Sequence, residues 1–125
     1  MSKPVNDNQE TGKTGETIAR EYLENAGFRI LETNWRFGKD EVDLIARDGE
    51  YMVFVEVKTR QSTTFGQPED SVNKDKQRFL IRAADAYLRK NNIELESRFD
   101  IVSVLLTSTS PKINHIREAF YPTMR

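Results

Sequence analysis

Between residues 13 and 26 the apolar side chains fall at Ile18, Ala19, Tyr22, Leu23 and Ala26, the three-and-four spacing of an amphipathic helix. Gly27 follows where a left-handed cap costs least. Residues 28–37 predict a strand, with Phe28, Ile30 and Leu31 as its apolar side chains. Residues 42–46 and 51–59 predict two more, joined by Asp48-Gly49, a strong hairpin signal. Residues 61–71, with Gly66 and Pro68, read as a loop. A second helical stripe runs over residues 72–91 through Phe79, Leu80, Ala83, Ala84, Tyr87 and Leu88. Residues 99–106 predict a further strand, and residues 113–120 form a last element of undecided type. The first 11 residues are polar, contain Pro4 and show no period, so they read as a flexible tail before a single domain spanning residues 12–125. Helix, three strands, helix, strand implies a meander followed by a crossover: an α/β fold with an αβββαβ core, its mixed sheet flanked by helices.

Bulk properties narrow the class. A chain of 125 residues suits one domain, and 37% hydrophobic with 31% charged residues suits a modest core. No apolar run approaches the roughly 20 residues that cross a bilayer, and the polar start offers no secretory signal. Without cysteine there is neither a disulfide framework nor a thiolate metal site. A cytoplasmic protein without membrane contact is expected. The net charge of -1 conceals an uneven distribution. Residues 72–91 hold six basic side chains against Asp75 and Asp85, a segment charge of +4 that leaves -5 elsewhere. A solvated helix face explains the basic run as well as a nucleic-acid contact does.

The hairpin serves as a ruler for the acidic residues. If Asp48 and Gly49 are the central turn residues, Arg47 pairs with Glu50, Asp43 lies opposite Phe54, and Glu41 lies opposite Glu56. Asp43, Phe54, Glu56 and Lys58 then share one face, with Asp43 and Glu56 as diagonal neighbours roughly 7 Å apart. Charged strands often carry mere surface ion pairs. Here Val53, Phe54, Val55 and Val57 mark the strand as buried, where an ionised carboxylate is costly unless paired or bound to metal. Glu16 and Lys76 each stand beside the apolar stripe of their helix, within reach of the sheet. Hard oxygen ligands such as Asp43 and Glu56 select Mg²⁺ or Mn²⁺ over zinc. Such an ion would engage a phosphate and activate water, with Lys58 beside it and Lys76, Arg78 and Arg82 meeting a phosphodiester backbone.

Asp43 followed by Glu56-Val57-Lys58 resembles the PD-(D/E)-x-K nuclease superfamily, which includes restriction enzymes and archaeal Holliday-junction resolvases. The chain is more closely similar to the YraN-like family of predicted endonucleases. The matching stretches are Gly15-Glu16, Ala19, Tyr22-Leu23, Asn34-Trp35-Arg36, residues 41–45, residues 53–58 with Arg60, residues 76–78, residues 98–100 and Ala119-Phe120. The resemblance implies a restriction-endonuclease-like fold, catalytic positions at Glu16, Asp43, Glu56 and Lys58, and a nucleic-acid substrate, DNA first. It also makes a homodimer plausible for cutting two strands. Val42 stands where the superfamily's name has proline, and Asp40 where the family commonly has glycine. A binding module with little turnover, or a protein-interaction domain, are the competing readings. Gly12-Lys13-Thr14 echoes a phosphate-binding loop but lacks its first glycine, Asp7 standing there. His115, the single histidine, is expected to be packed or on the surface and not to catalyse.

Overall fold

The computed structural model describes residues 7–61 and 72–122, with side chains from residue 12 onward. The elements run α1 (Asp7–Asn25), β1 (Arg29–Phe37), β2 (Asp40–Asp48), β3 (Tyr51–Gln61), α2 (Lys74–Lys90), β4 (Glu96–Leu106) and β5 (Lys112–Phe120). One sheet holds the strands in the order β1-β2-β3-β4-β5. Neighbours are antiparallel except β3 and β4, whose parallel pairing is what the α2 crossover makes possible. The expected αβββαβ order is present, and the undecided last element is a fifth strand on the edge beside β4. No helix among the described residues is long and apolar enough to cross a membrane.

Each helix buries its stripe on its own face of the sheet. Ala19 and Leu23 of α1 pack with Leu44, Val53, Val55, Val102 and Val104. Phe79, Leu80, Ala83, Ala84 and Tyr87 of α2 pack with Ile45, Phe54, Phe99 and Ile101. α1 ends in a Schellman turn: Phe28 N–H donates to the Leu23 carbonyl at 2.9 Å and Gly27 N–H to Glu24 at 3.0 Å. Gly27, at φ 97, carries the left-handed step. Asn73 caps α2, its Oδ1 accepting from Lys76 N–H at 2.8 Å.

Three expectations need correction. Residues 7–11, read as part of a tail, are helical backbone. Residues 7–12 contain no apolar side chain, so a periodic signal cannot see them. Residues 1–6 of that tail, and all of the expected 61–71 loop except Gln61, lie outside the described residues; Gln61 ends β3. Finally, Asp48 pairs with Tyr51, not with a turn neighbour, so the turn is Gly49-Glu50 and the register differs by two residues. Two forces place it there. Gly49, at φ 61, supplies the positive φ that the first central position of a tight hairpin favours. Asp48 is also held by Arg98 at 2.9 Å and Arg117 at 3.3 Å, contacts a local turn rule cannot foresee. A two-residue change preserves the faces of β3, so Glu56 and Lys58 still follow Phe54 onto the α2 side.

Asp43 does not lie opposite Phe54. The β2–β3 ladder ends at Leu44↔Val55, and Ile45 is the partner of Phe54. Alternation also breaks here: Val42 and Ile45 join the α2-side core while Leu44 joins the α1 side. On β1, the flanking pairs Thr33↔Leu44 and Trp35↔Val42 put Asn34 across from Asp43, and Asn34 has φ 51. The two strands therefore coil together at Asn34 and Asp43. Glu41 pairs with Arg36 on β1 instead of facing Glu56, with an ion pair at 3.3 Å.

Gly15 sets how closely α1 lies on β3. A Cβ built there would stand 2.8 Å from Thr59 Cβ and overlap its Oγ1. Thr59 Cβ is fixed by the backbone, so no rotamer change relieves the clash. Gly15→Ala is therefore expected to lower stability by about 1–3 kcal/mol in chemical denaturation, although alanine is the better helix former. An unchanged or raised midpoint would show that α1 has room to move.

Candidate active site

At the splayed end of the β2–β3 hairpin, Asp43 Oδ2 accepts the Val57 N–H at 2.8 Å, taking the place of a ladder carbonyl. Burial raises the Asp43 pKa to about 7; the neighbouring carboxylates Glu56 and Glu16 add to the rise, and the Val57 N–H and Lys76 oppose it. Glu56 is also raised by burial, with Lys76 and Lys58 pulling the other way. Lys58 Nζ stands 4.0 Å from Glu56 Oε2, and Lys76 Nζ 3.9 Å from Glu56 Oε1. Glu56 Oε1 is buried and has no hydrogen-bond partner. A desolvated acceptor of that kind carries a penalty unless a cation or donor meets it.

The four residues expected at the centre come from three elements. β2 supplies Asp43, β3 supplies Glu56 and Lys58, and α1 brings Glu16 close enough to raise Asp43. Among the described residues no three acidic or histidine side chains approach closely enough to hold a metal by themselves. Asp43 and Glu56 are the near pair, and Glu16 stands further out. The donor set is all carboxylate oxygen, which suits Mg²⁺ or Mn²⁺, ions that keep several waters.

Lys76, expected within reach of the sheet and against a nucleic-acid backbone, points into this cluster. Its Nζ lies 3.0 Å from Asp40 Oδ2 and 3.4 Å from the Glu41 carbonyl, and 4.9 Å from the Phe79 ring centroid. Arg78 and Arg82 do not join it. Arg78 is exposed and paired with Asp75 at 2.9 Å, and Arg82 is exposed on the same helix. Two residues of the site were not anticipated. Asp40 fixes Lys76, and Asn34 donates from Nδ2 to Glu16 Oε1 at 3.2 Å. An asparagine inside a strand, where its β propensity is poor and its tolerance of positive φ is high, is the signal that could have pointed to the second.

A separate polar cluster lies on the α1 side of the sheet. Arg98 donates twice to Asp100, both at 2.9 Å. His115 Nε2 lies 2.8 Å from Asp100 Oδ2, and its Nδ1 lies 3.1 Å from Tyr22 Oη. Burial alone would raise Asp100, but His115 and Arg98 outweigh it and hold the carboxyl below its ordinary range. The histidine is packed, as expected, and is remote from the carboxylate pair in the residues it touches.

A mixed five-stranded sheet with one helix on each face, and acidic and cationic side chains gathered where the hairpin opens, defines a single α/β domain consistent with a restriction-endonuclease-like fold. Residues 15–104 match the uncharacterised protein family UPF0102, and the chain belongs to that family. It is 44% identical over 115 residues to a UPF0102 protein of Flavobacterium psychrophilum, covering 92% of this chain and 97% of the relative. It is 45% identical over 116 residues to one of Phocaeicola vulgatus, covering 93% and 96%. A third, from Bacteroides thetaiotaomicron, is 44% identical over 118 residues, covering 94% and 98%.

The raised Asp43 pKa has a thermodynamic consequence. Between the ordinary value of 3.8 and about 7 the folded protein holds a proton that the unfolded chain has released. Stability contributed by this group is therefore lost as pH rises through that window, by an amount on the order of a few kcal/mol. Thermal melts without divalent cations are expected to show a lower midpoint at pH 8 than at pH 5. In Asp43→Asn, whose amide oxygen can still accept the Val57 N–H, the decline should be smaller. Parallel pH curves for both proteins would show that Asp43 ionises freely.

Proposed function

We propose that the protein is a metal-dependent nuclease of the PD-(D/E)-x-K type that hydrolyses phosphodiester bonds in nucleic acid, DNA foremost. The observation that carries this reading is the half-buried Asp43–Glu56 pair, with Lys58 and Lys76 against Glu56 and one Glu56 oxygen left without a hydrogen-bond partner. Two partly desolvated carboxylates side by side cost stability, which the Val57 N–H, Lys58 and Lys76 offset only in part. A divalent cation between them would offset the rest.

Asp43 and Glu56 would hold Mg²⁺ or Mn²⁺, which would supply Lewis-acid polarisation of the phosphate and a lowered pKa for an attacking water. Glu16 would steady a further water of that shell. Lys58 would orient the incoming water and balance the charge that grows on the phosphoryl oxygens as the new O–P bond forms and the ester P–O bond breaks. The water's proton passes to solvent, and the leaving oxygen departs with its electron pair and is reprotonated. Lys76 adds a second fixed cation at the same place, steadied by Asp40 and by the Phe79 ring. Arg78 and Arg82, exposed along α2, are then contacts for the flanking backbone, and a homodimer would bring two sites to one duplex.

The test is cleavage of linear, flapped, branched and single-stranded DNA in Mg²⁺ or Mn²⁺. Glu56→Gln and Asp43→Asn are expected to lose about 100-fold or more in rate. Mn²⁺ should raise the thermal midpoint of the wild type at pH 8 but not that of Asp43→Asn. If no substrate is cut, or if Glu56→Gln cuts as well as wild type, the nuclease reading is wrong. Tight metal-independent DNA binding, lost with Arg78 and Arg82 and kept with Glu56→Gln, would identify a binding module instead.

A further inference from the structure

We infer that Asn34 is a positioning residue that sets Glu16 against the Asp43–Glu56 pair, an inference that rests on the hydrolytic reading of this site. Glu16 comes from a helix on one face of the sheet, and Glu56 follows Phe54 toward the other face. Something must bring the α1 carboxylate to the strand-borne ones at a defined angle. Two contacts do so, and they fix different things.

The first contact fixes distance. Gly15, the residue immediately before Glu16, lies so close to Thr59 that a side chain there would collide with it. α1 is thereby pressed onto β3 one residue beyond Lys58.

The second contact fixes direction. Asn34 Nδ2 donates to Glu16 Oε1 at 3.2 Å, leaving Oε2 free of that bond. Asn34 stands across the ribbon from Asp43, because the pairs on either side are Thr33↔Leu44 and Trp35↔Val42. One side chain on β1 thus spans from the position facing Asp43 to the α1 carboxylate. Its backbone is left-handed, with φ 51, inside a strand. A non-glycine residue pays for that conformation, and asparagine pays less than most. Asn34 is exposed, so the conformation buries no apolar side chain of its own. Glu118, at φ 50 in β5, shows the same economy: its N–H donates to the buried Asp100 carboxylate at 3.2 Å. In both strands the strained step serves a carboxylate.

Backbone and side chain can be separated experimentally because three residues tolerate this conformation. Asn34→Gly keeps the left-handed step and removes the amide. Asn34→Asp keeps the step and shape but sets a carboxylate against Glu16. Both variants are expected to melt within a few degrees of wild type. With DNA and Mg²⁺, Asn34→Gly should lower kcat about tenfold with KM changed by less than about twofold, a charge-assisted hydrogen bond being lost only at the reacting centre. Asn34→Asp should lose at least as much. Combined with Glu16→Gln, Asn34→Gly should have little further effect, since both act through one carboxylate. Wild-type kcat in Asn34→Gly, or full multiplication of the two effects in the double variant, would overturn the inference. If the wild type cuts nothing, the hydrolytic reading fails separately. The Asn34 side-chain amide resonances then decide the contact: a shift on Glu16→Gln supports it, and unchanged resonances overturn it.

Discussion

Where β2 and β3 part, the Val57 N–H loses the carbonyl that a continuing ladder would offer, and the Asp43 carboxylate takes it at 2.8 Å. Much of the site follows from that substitution. A buried N–H left open would cost about 1–3 kcal/mol, so the hairpin can open only where such an acceptor is ready. Opening the hairpin in turn keeps Glu56 from being covered by a β2 neighbour. It also lets Val42 turn toward α2 while Leu44 stays under α1. A carboxylate that closes a backbone bond is held in place before any ligand arrives, which is the kind of preorganisation a reacting centre requires.

Charge around Glu56 is balanced but not neutralised. Lys58 and Lys76 stand at 4.0 and 3.9 Å, near enough to attract and too far to donate a hydrogen bond to its oxygens. Lys76 gives its close contact to Asp40, at 3.0 Å. A full ion pair with Glu56 would have been more stable and chemically inert. The structure keeps the pair loose, and burial keeps it strong. That combination sacrifices stability at a place where the surrounding core, with Val55, Phe54 and Ile101 almost wholly buried, is firm enough to carry it.

Elements with strong apolar periods were legible from the chain alone. The stripe from Phe79 to Tyr87 and the valine-rich β3 leave little choice of structure or of buried face. Side chains beside those stripes were legible too, which is why Glu16 and Lys76 could be placed near the sheet before any coordinates. The register was not. Asp48 has the local chemistry of a turn residue, yet Arg98 and Arg117, 50 and 69 residues away in sequence, draw it into the strand pair. The strand partner of Asp43 escaped for a related reason. Strict alternation is a property of flat ribbons, and the ribbon coils at Asn34 through a backbone angle that no hydrophobic pattern encodes. The fifth strand, with few buried side chains on an edge, offered too weak a pattern to classify.

The Tyr22–His115 contact joins residues 93 apart in sequence. Through it, and through Asp100, the helix that carries Glu16 is fastened to the edge strand β5. Closing so long a loop is entropically demanding, at a cost that grows slowly with the number of residues enclosed. α1 is thus held to three strands at once, to β3 at Gly15, to β1 through Asn34 and to β5 through Tyr22, so the carboxylate it carries does not depend on a single attachment.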